Sequence, residues 1–194
     1  MVLLDVTVPD KSAGSRLGGA PPKWFDGNDV LDSHHYLLTL ESGLTEWQCG
    51  REASVFVRRD FEFGASDAAL EYPDIPIRTV LHPPSPRSSR SRGRHPGLAS
   101  MALTVRDRED AQAPFLRVGE PRVLIQNEPS YASAVEADGH RFLFQLDEDG
   151  WPVPPSPAGE VVDQYLFGYG SVYFYGSPGP RGCIDDVVVG FFDF

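Results

Sequence analysis

The sequence predicts a mostly-β α+β domain of short strands with few and short helices, and three observations predict it. Nineteen glycines and eighteen prolines in 194 residues interrupt the chain every few positions, which suits strands and turns better than long helices. Arg141–Leu146 alternates apolar and polar side chains and then runs into the acidic turn Asp147-Glu148-Asp149-Gly150. Tyr165–Tyr175 is a glycine-punctuated run that is apolar or aromatic on both faces. The length favours one domain, and 41% hydrophobic residues suffice for a core.

In chain order the strand signals fall at Val2–Val8, His35–Leu40, Ala53–Phe63, Ile75–Leu81, Leu98–Val105, Arg122–Gln126, Arg141–Leu146, Tyr165–Tyr175 and Ile184–Phe192. They are expected to form two sheets or an internally duplicated unit. Strict alternation in Arg141–Leu146 puts Phe142, Phe144 and Leu146 on one face and Leu143 and Gln145 on the other. Tyr165–Tyr175 reads as a central strand, with Gly168 and Gly170 marking a bulge or a close backbone approach. Asp26–Leu31 and Tyr131–Ala137 each hold a turn or two of helix, and Ser130 is a plausible N-cap for the second.

Residues 83–97 contain Arg87, Arg90, Arg92 and Arg94, no acid and no large apolar side chain. Nothing there repays the entropy of ordering the backbone, so a flexible, solvated surface loop is expected. It divides the domain, 1–194, into portions 1–82 and 98–194 that read as weak copies. Arg16-Leu17-Gly18-Gly19 parallels Arg117-Val118-Gly119-Glu120, and His34–Gly43 parallels His140–Gly150. Duplication and chance both fit so few identities.

The net charge is −11, and Lys11 and Lys23 are the only lysines beside the arginines. Such a chain repels phosphate backbones, which argues against nucleic acid and for a basic partner. Cys49 and Cys183 form no CxxC and read as two buried thiols of a reduced compartment. Met1–Asp5 lacks a basic leader region, and no apolar run is long enough for a membrane span, so a cytoplasmic, membrane-free protein is expected.

No catalytic motif stands out. Asp147, Glu148 and Asp149 could hold a divalent cation or act as acid and base, but they lack the spacing of a calcium loop and read as a solvated acidic turn. Asp185-Asp186 reads as a strand edge. His34, His35 and His140 are the best metal-ligand thought, with a pseudo-axis bringing His34 towards His140, yet zinc spacing is missing. There is no Gly-x-Ser-x-Gly elbow, and Gly168-Tyr169-Gly170 lacks the third glycine and the helix of a dinucleotide fingerprint. Cys49 has no evident base to activate it. No metal and no cofactor are expected. Aromatic residues are the more promising theme: Trp24, Phe25, Trp151, Tyr165, Tyr169, Tyr173 and Tyr175 exceed what one face of a small sheet needs.

Leu17-Gly18-Gly19-Ala20-Pro21-Pro22-Lys23-Trp24, Phe142-Leu143-Phe144-Gln145-Leu146-Asp147 and Gly170-Ser171-Val172-Tyr173-Phe174-Tyr175 resemble, in order, three motifs of the YwqG-like proteins. That family is grouped with the N-terminal region of the programmed cell death protein 2 proteins. The resemblance spans residues 15–176; the basic loop 83–97 is not a hallmark of it, and 44–115 has no match to the pattern. It implies a protein- or peptide-binding module, immunity- or chaperone-like, in a bacterial cytoplasm. The expected role is non-enzymatic binding of a basic protein or peptide in an acidic, aromatic-lined groove. Its residues would be Gly18, Gly19, Trp24, Gln145, Asp147, Asp149, Trp151 and Tyr169. The alternative is a metal-assisted hydrolase using Asp147, Asp149 and a histidine.

Overall fold

The computed structural model describes residues 1–10, 14–61, 70–106, 113–152 and 166–194. Ten strands form one sheet: β1 (Val2–Thr7), β2 (Arg16–Leu17), β3 (His34–Leu40), β4 (Glu52–Arg58), β5 (Ile77–His82), β6 (Met101–Val105), β7 (Leu116–Val118), β8 (Arg141–Leu146), β9 (Ser171–Pro178) and β10 (Ile184–Asp193). Their spatial order is β10-β9-β8-β7-β1-β6-β2-β3-β4-β5, and every neighbouring pair is antiparallel. Two sheets are therefore the wrong expectation. The short strands β2 and β7 splice the longer ones into a single ladder through the central pair β1–β6.

The strip curls until its end strands, β5 and β10, lie alongside each other without pairing. The curl encloses the main core, which includes Leu4, Leu17, Leu38, Val55, Ile77, Leu103, Leu116, Phe144, Phe174 and Val189. Two smaller apolar clusters lie apart from it. Phe25, Val30, Leu31, Tyr36 and Phe56 join helix α1 (Val30–Ser33) to β3 and β4. Ala132, Val135, Phe142, Tyr173, Tyr175 and Phe191 join helix α2 (Ser133–Ala137) to β8, β9 and β10. The second helix follows a 3-10 turn, Pro129–Ala132, capped by the Glu128 carboxylate on the Ser130 amide rather than by the Ser130 side chain.

The sheet order reads alike from either side of the β1–β6 pair. β3 breaks register with β4 between Tyr36 and Leu38, and β8 breaks register with β9 between Phe142 and Phe144. At each break the extra leucine's carbonyl accepts from a left-handed glycine: Gly18 N–H to Leu37 at 2.6 Å, and Gly119 N–H to Leu143 at 2.8 Å. The bulge corrects the expected facing of β8. Phe142 joins the α2 cluster, whereas Leu143, Phe144 and Leu146 all enter the main core. An extra residue in one strand shifts the side-chain alternation by one.

Three further expectations change. Arg122–Gln126 is not a strand; its backbone is held by side chains, with Gln145 bonding both Val123 N–H (2.8 Å) and Val123 C=O (3.2 Å). The Asp193 carboxylate accepts the amides of Ile125 and Gln126. The aromatic strand runs from Ser171 to Pro178, next to the edge strand and buried on both faces over most of its length. Gly170 precedes it, where a β-carbon would lie 2.4 Å from the Phe194 ring. The expected strand limits at Phe63 and Tyr165 lie outside the described residues.

Candidate functional site

The seam between β5 and β10 holds a cavity of about 490 Å³, lined along one rim by Ile77–Leu81 and along the other by Asp185–Val189. Arg58 N–H donates to Pro76 C=O at 2.9 Å, which makes Arg58 and Pro76 a hydrogen-bonded pair of the β4–β5 ladder. Antiparallel pairs alternate, so Arg78, Val80 and His82 bond β4, while Ile77, Thr79 and Leu81 turn their amides and carbonyls towards the seam. Ile77 N–H is taken locally by Ile75 C=O at 2.8 Å, as that phase requires. On the other rim Val187 N–H is taken by its neighbour, the Asp186 carboxylate, at 2.9 Å.

Both ends of the seam are fastened. Cys49, just before β4, and Cys183, just before β10, form a disulfide with 5.7 Å between α-carbons. This overturns the expectation of two free thiols: 134 residues separate the cysteines, but the curl brings the starts of their strands together. Arg51 reinforces that end by donating to Ile184 C=O and, from Nε, to Gln48 C=O. At the far end Tyr72 Oη donates to the Asp138 carboxylate at 2.7 Å, and its ring packs edge-on to His140. That bond holds the phenol well above its ordinary range, at about 12.

Asp185 and Asp186 are exposed at the seam and have no ion-pair partner among the described residues. Thr79 is 8% exposed, and its buried Oγ1 has no hydrogen-bond partner among the described residues.

A buried polar chain runs along β3, β4 and β5. His82 Nδ1 lies 2.8 Å from the Pro83 carbonyl, an acceptor only, so that nitrogen carries the proton. His82 Nε2 then accepts from Ser54 Oγ at 2.8 Å, Ser54 from Thr39 at 2.7 Å, and Thr39 from Tyr36 Oη at 2.8 Å. Arg16 meets Glu52 at 3.3 Å beside them. Ser54 and His82 have the spacing of a nucleophile and its base. Both are buried, however, and neither lines the cavity, so the chain ties three strands together rather than meeting a substrate. Burial holds His82 below its ordinary pKa, with the Arg16 charge acting in the same direction.

None of the eight residues expected to form the groove lines the seam. Gly18 and Gly19 sit in a turn under Arg87, whose guanidinium donates to Gly18 C=O (3.1 Å), Ser100 Oγ (3.0 Å) and Met101 C=O (3.2 Å). Trp24 is 43% exposed and stacks on His82, with its amide donating to Ser85 Oγ at 2.9 Å. Trp151 is buried edge-on against Phe115 and Phe167. It reaches the glycine turn only indirectly, through Ala99 N–H on Pro152 C=O at 2.7 Å. Gln145 is buried on the Val123 backbone and Tyr169 is exposed. Asp147 accepts the Asp149 amide at 3.2 Å, and burial raises its pKa. The phenols of Tyr173 and Tyr175 are spent on Val123 C=O and Arg122.

His34 stands at the start of β3 and His140 just before β8, with four strands between those two in the sheet, so the expected approach of the two histidines does not occur. Among the described residues no group of three or more His, Cys, Asp and Glu side chains is placed to hold a metal ion.

Segment 83–97 packs back on the domain instead of standing off it. Arg87 anchors it as described, Ser88 Oγ donates to Asp26 at 2.7 Å, Arg92 pairs with Asp32, and Tyr36 N–H donates to Gly93 C=O at 2.7 Å. Guanidinium bonds to carbonyls and carboxylates do here what apolar anchors do elsewhere. Among the described residues no helix is long and apolar enough to cross a membrane.

Comparison with protein families, with curated proteins and with solved structures finds no match for this chain.

Proposed function

We propose that this protein is a non-enzymatic binding module for a basic protein or peptide, YwqG-like in kind and immunity- or chaperone-like in role. The observation that carries the reading is the seam cleft, whose β10 rim bears two exposed carboxylates with no cationic partner among the described residues. A net charge of −11 steers cations towards the molecule, and an unpaired acidic rim rewards their arrival. The opposite rim supplies main-chain groups and apolar surface, the usual mixture of a ligand cleft.

The test is capture of partners from the host lysate with wild-type protein and with an Asp185→Asn/Asp186→Asn double variant, at low and moderate salt. A basic protein held by the wild type, released by salt and lost from the variant supports the reading. Equal capture by both forms sinks it.

A further inference from the structure

We propose that the seam is a strand-addition site, at which an extended basic segment pairs with the free edge of β5 and sets a lysine or arginine against Asp185 and Asp186. This rests on the binding reading above and names its partner class and mode.

The first support is the phase of the β4–β5 ladder. Thr79 and Leu81 direct their N–H and C=O groups into the seam, and no backbone pairing joins β5 to β10. Buried or half-buried amides without partners are costly, and an extended peptide satisfies them in register.

The second support is charge. Arg51 keeps its charge but points it at two protein carbonyls, and among the described residues it forms no ion pair with Asp185 or Asp186, so both carboxylates stay open to a cation of the guest. Asp185 and Asp186 lie at the disulfide end, whereas Arg78, paired with Phe56, lies towards the start of β5. The lining thus carries both signs, with the two carboxylates on the β10 rim, and a basic residue of the guest is drawn to that rim. A second copy of this chain is disfavoured, because it would bring a like-charged rim with it.

The third support is the way each edge is guarded. Asp186 covers its own neighbour's amide on β10, which blunts that edge against pairing. β5 has no such cover at Thr79 or Leu81, so it is the receptive edge.

The experiment uses isotope-labelled protein and a capped peptide of alternating lysine and valine, with a second peptide N-methylated on the amides of one edge. The expected result is that the first peptide slows amide exchange at Thr79 and Leu81 and leaves Arg78 and Val80, already bonded to β4, unchanged. The N-methylated peptide should bind about tenfold more weakly for each amide blocked, the worth of one backbone hydrogen bond. Binding that depends on Asp185 and Asp186 but leaves Thr79 and Leu81 exchange unaltered overturns strand addition while sparing the basic-partner reading. No binding by either peptide, together with lysate capture indifferent to Asp185 and Asp186, overturns both. Protection of Thr79 and Leu81 that rises with protein concentration alone assigns the edge to a second copy and overturns the proposal.

Discussion

Gly18 and Gly19 show how much a single hydrogen atom decides in this fold. Both have left-handed backbones, at φ 60° and 72°, and a β-carbon would lie 2.1 Å from Ala99 C=O or 2.6 Å from Ser100 Oγ. Gly27 shares the left-handed φ but has open space around it. Gly18→Ala should therefore cost about 2 kcal/mol or more, and Gly27→Ala only about 1 kcal/mol, in denaturant titrations. The histidines set the acid response. His95 is held down to about 4 by burial and by His35, whose ring is 5.3 Å away, and its Nδ1 accepts the Gly97 amide. Burial also lowers His34, His35 and His82. Groups whose folded pKa lies below the unfolded value leave stability intact above about pH 6.5 and erode it as pH falls towards the folded value. The melting temperature should be level above neutrality and drop between about pH 6.5 and 4, with His95→Gln flattening the slope. An unchanged slope in that variant would assign the response to the other histidines.

At the scale of elements, the seam is fastened by one covalent bond and two polar ones, Arg51 on Ile184 and Tyr72 on Asp138. Cys49→Ser/Cys183→Ser should lose about 4 kcal/mol, since the bond closes a loop of well over a hundred residues, and reductant should have the same effect on the wild type. Amide exchange should quicken first at β5 and β10; uniform quickening would mean that the disulfide acts on the whole sheet. Arg87→Gln should expose segment 83–97 to limited proteolysis without removing the cooperative melt, because three backbone and hydroxyl contacts are lost from one side chain. These elements were unequally legible. The strand signals at Val2–Val8, His35–Leu40 and Arg141–Leu146 located real strands, because apolar-rich runs of six or seven residues are long enough to stand out between turn residues. β2 and β7, at two and three residues, are too short to carry a period, yet they hold the sheet together. The disulfide escaped because pairing depends on where strands start in space, not on spacing along the chain. Segment 83–97 escaped because composition counts apolar anchors and overlooks Arg87. The seam cleft escaped for the same kind of reason: Asp185-Asp186 reads as a solvated edge until β5 is seen opposite it.

Over the whole molecule, the sheet reads the same outward from β1–β6 towards either edge, with matching bulges at Leu37 and Leu143. The segments that parallel each other in sequence, 16–19 with 117–120 and 34–43 with 140–150, begin at equivalent strands of that order. Binding at the seam should be a property of the folded whole, and raising salt should weaken a basic ligand without moving the melting temperature of the free protein much, since most of the core is apolar. Calorimetry alongside binding titrations checks this; a melt that falls in step with affinity would mean that the salt acts on the fold. The disulfide has a mechanical consequence as well. A strip bent into a hoop and riveted beside its gap is a split ring, and a wedge driven into such a ring loads the wall diametrically opposite. Here that wall is the β1–β6 pair, joined over Leu4–Thr7 and Ala102–Val105, so a guest lodged in the gap would be felt first as shear across those four rungs on the far side of the protein.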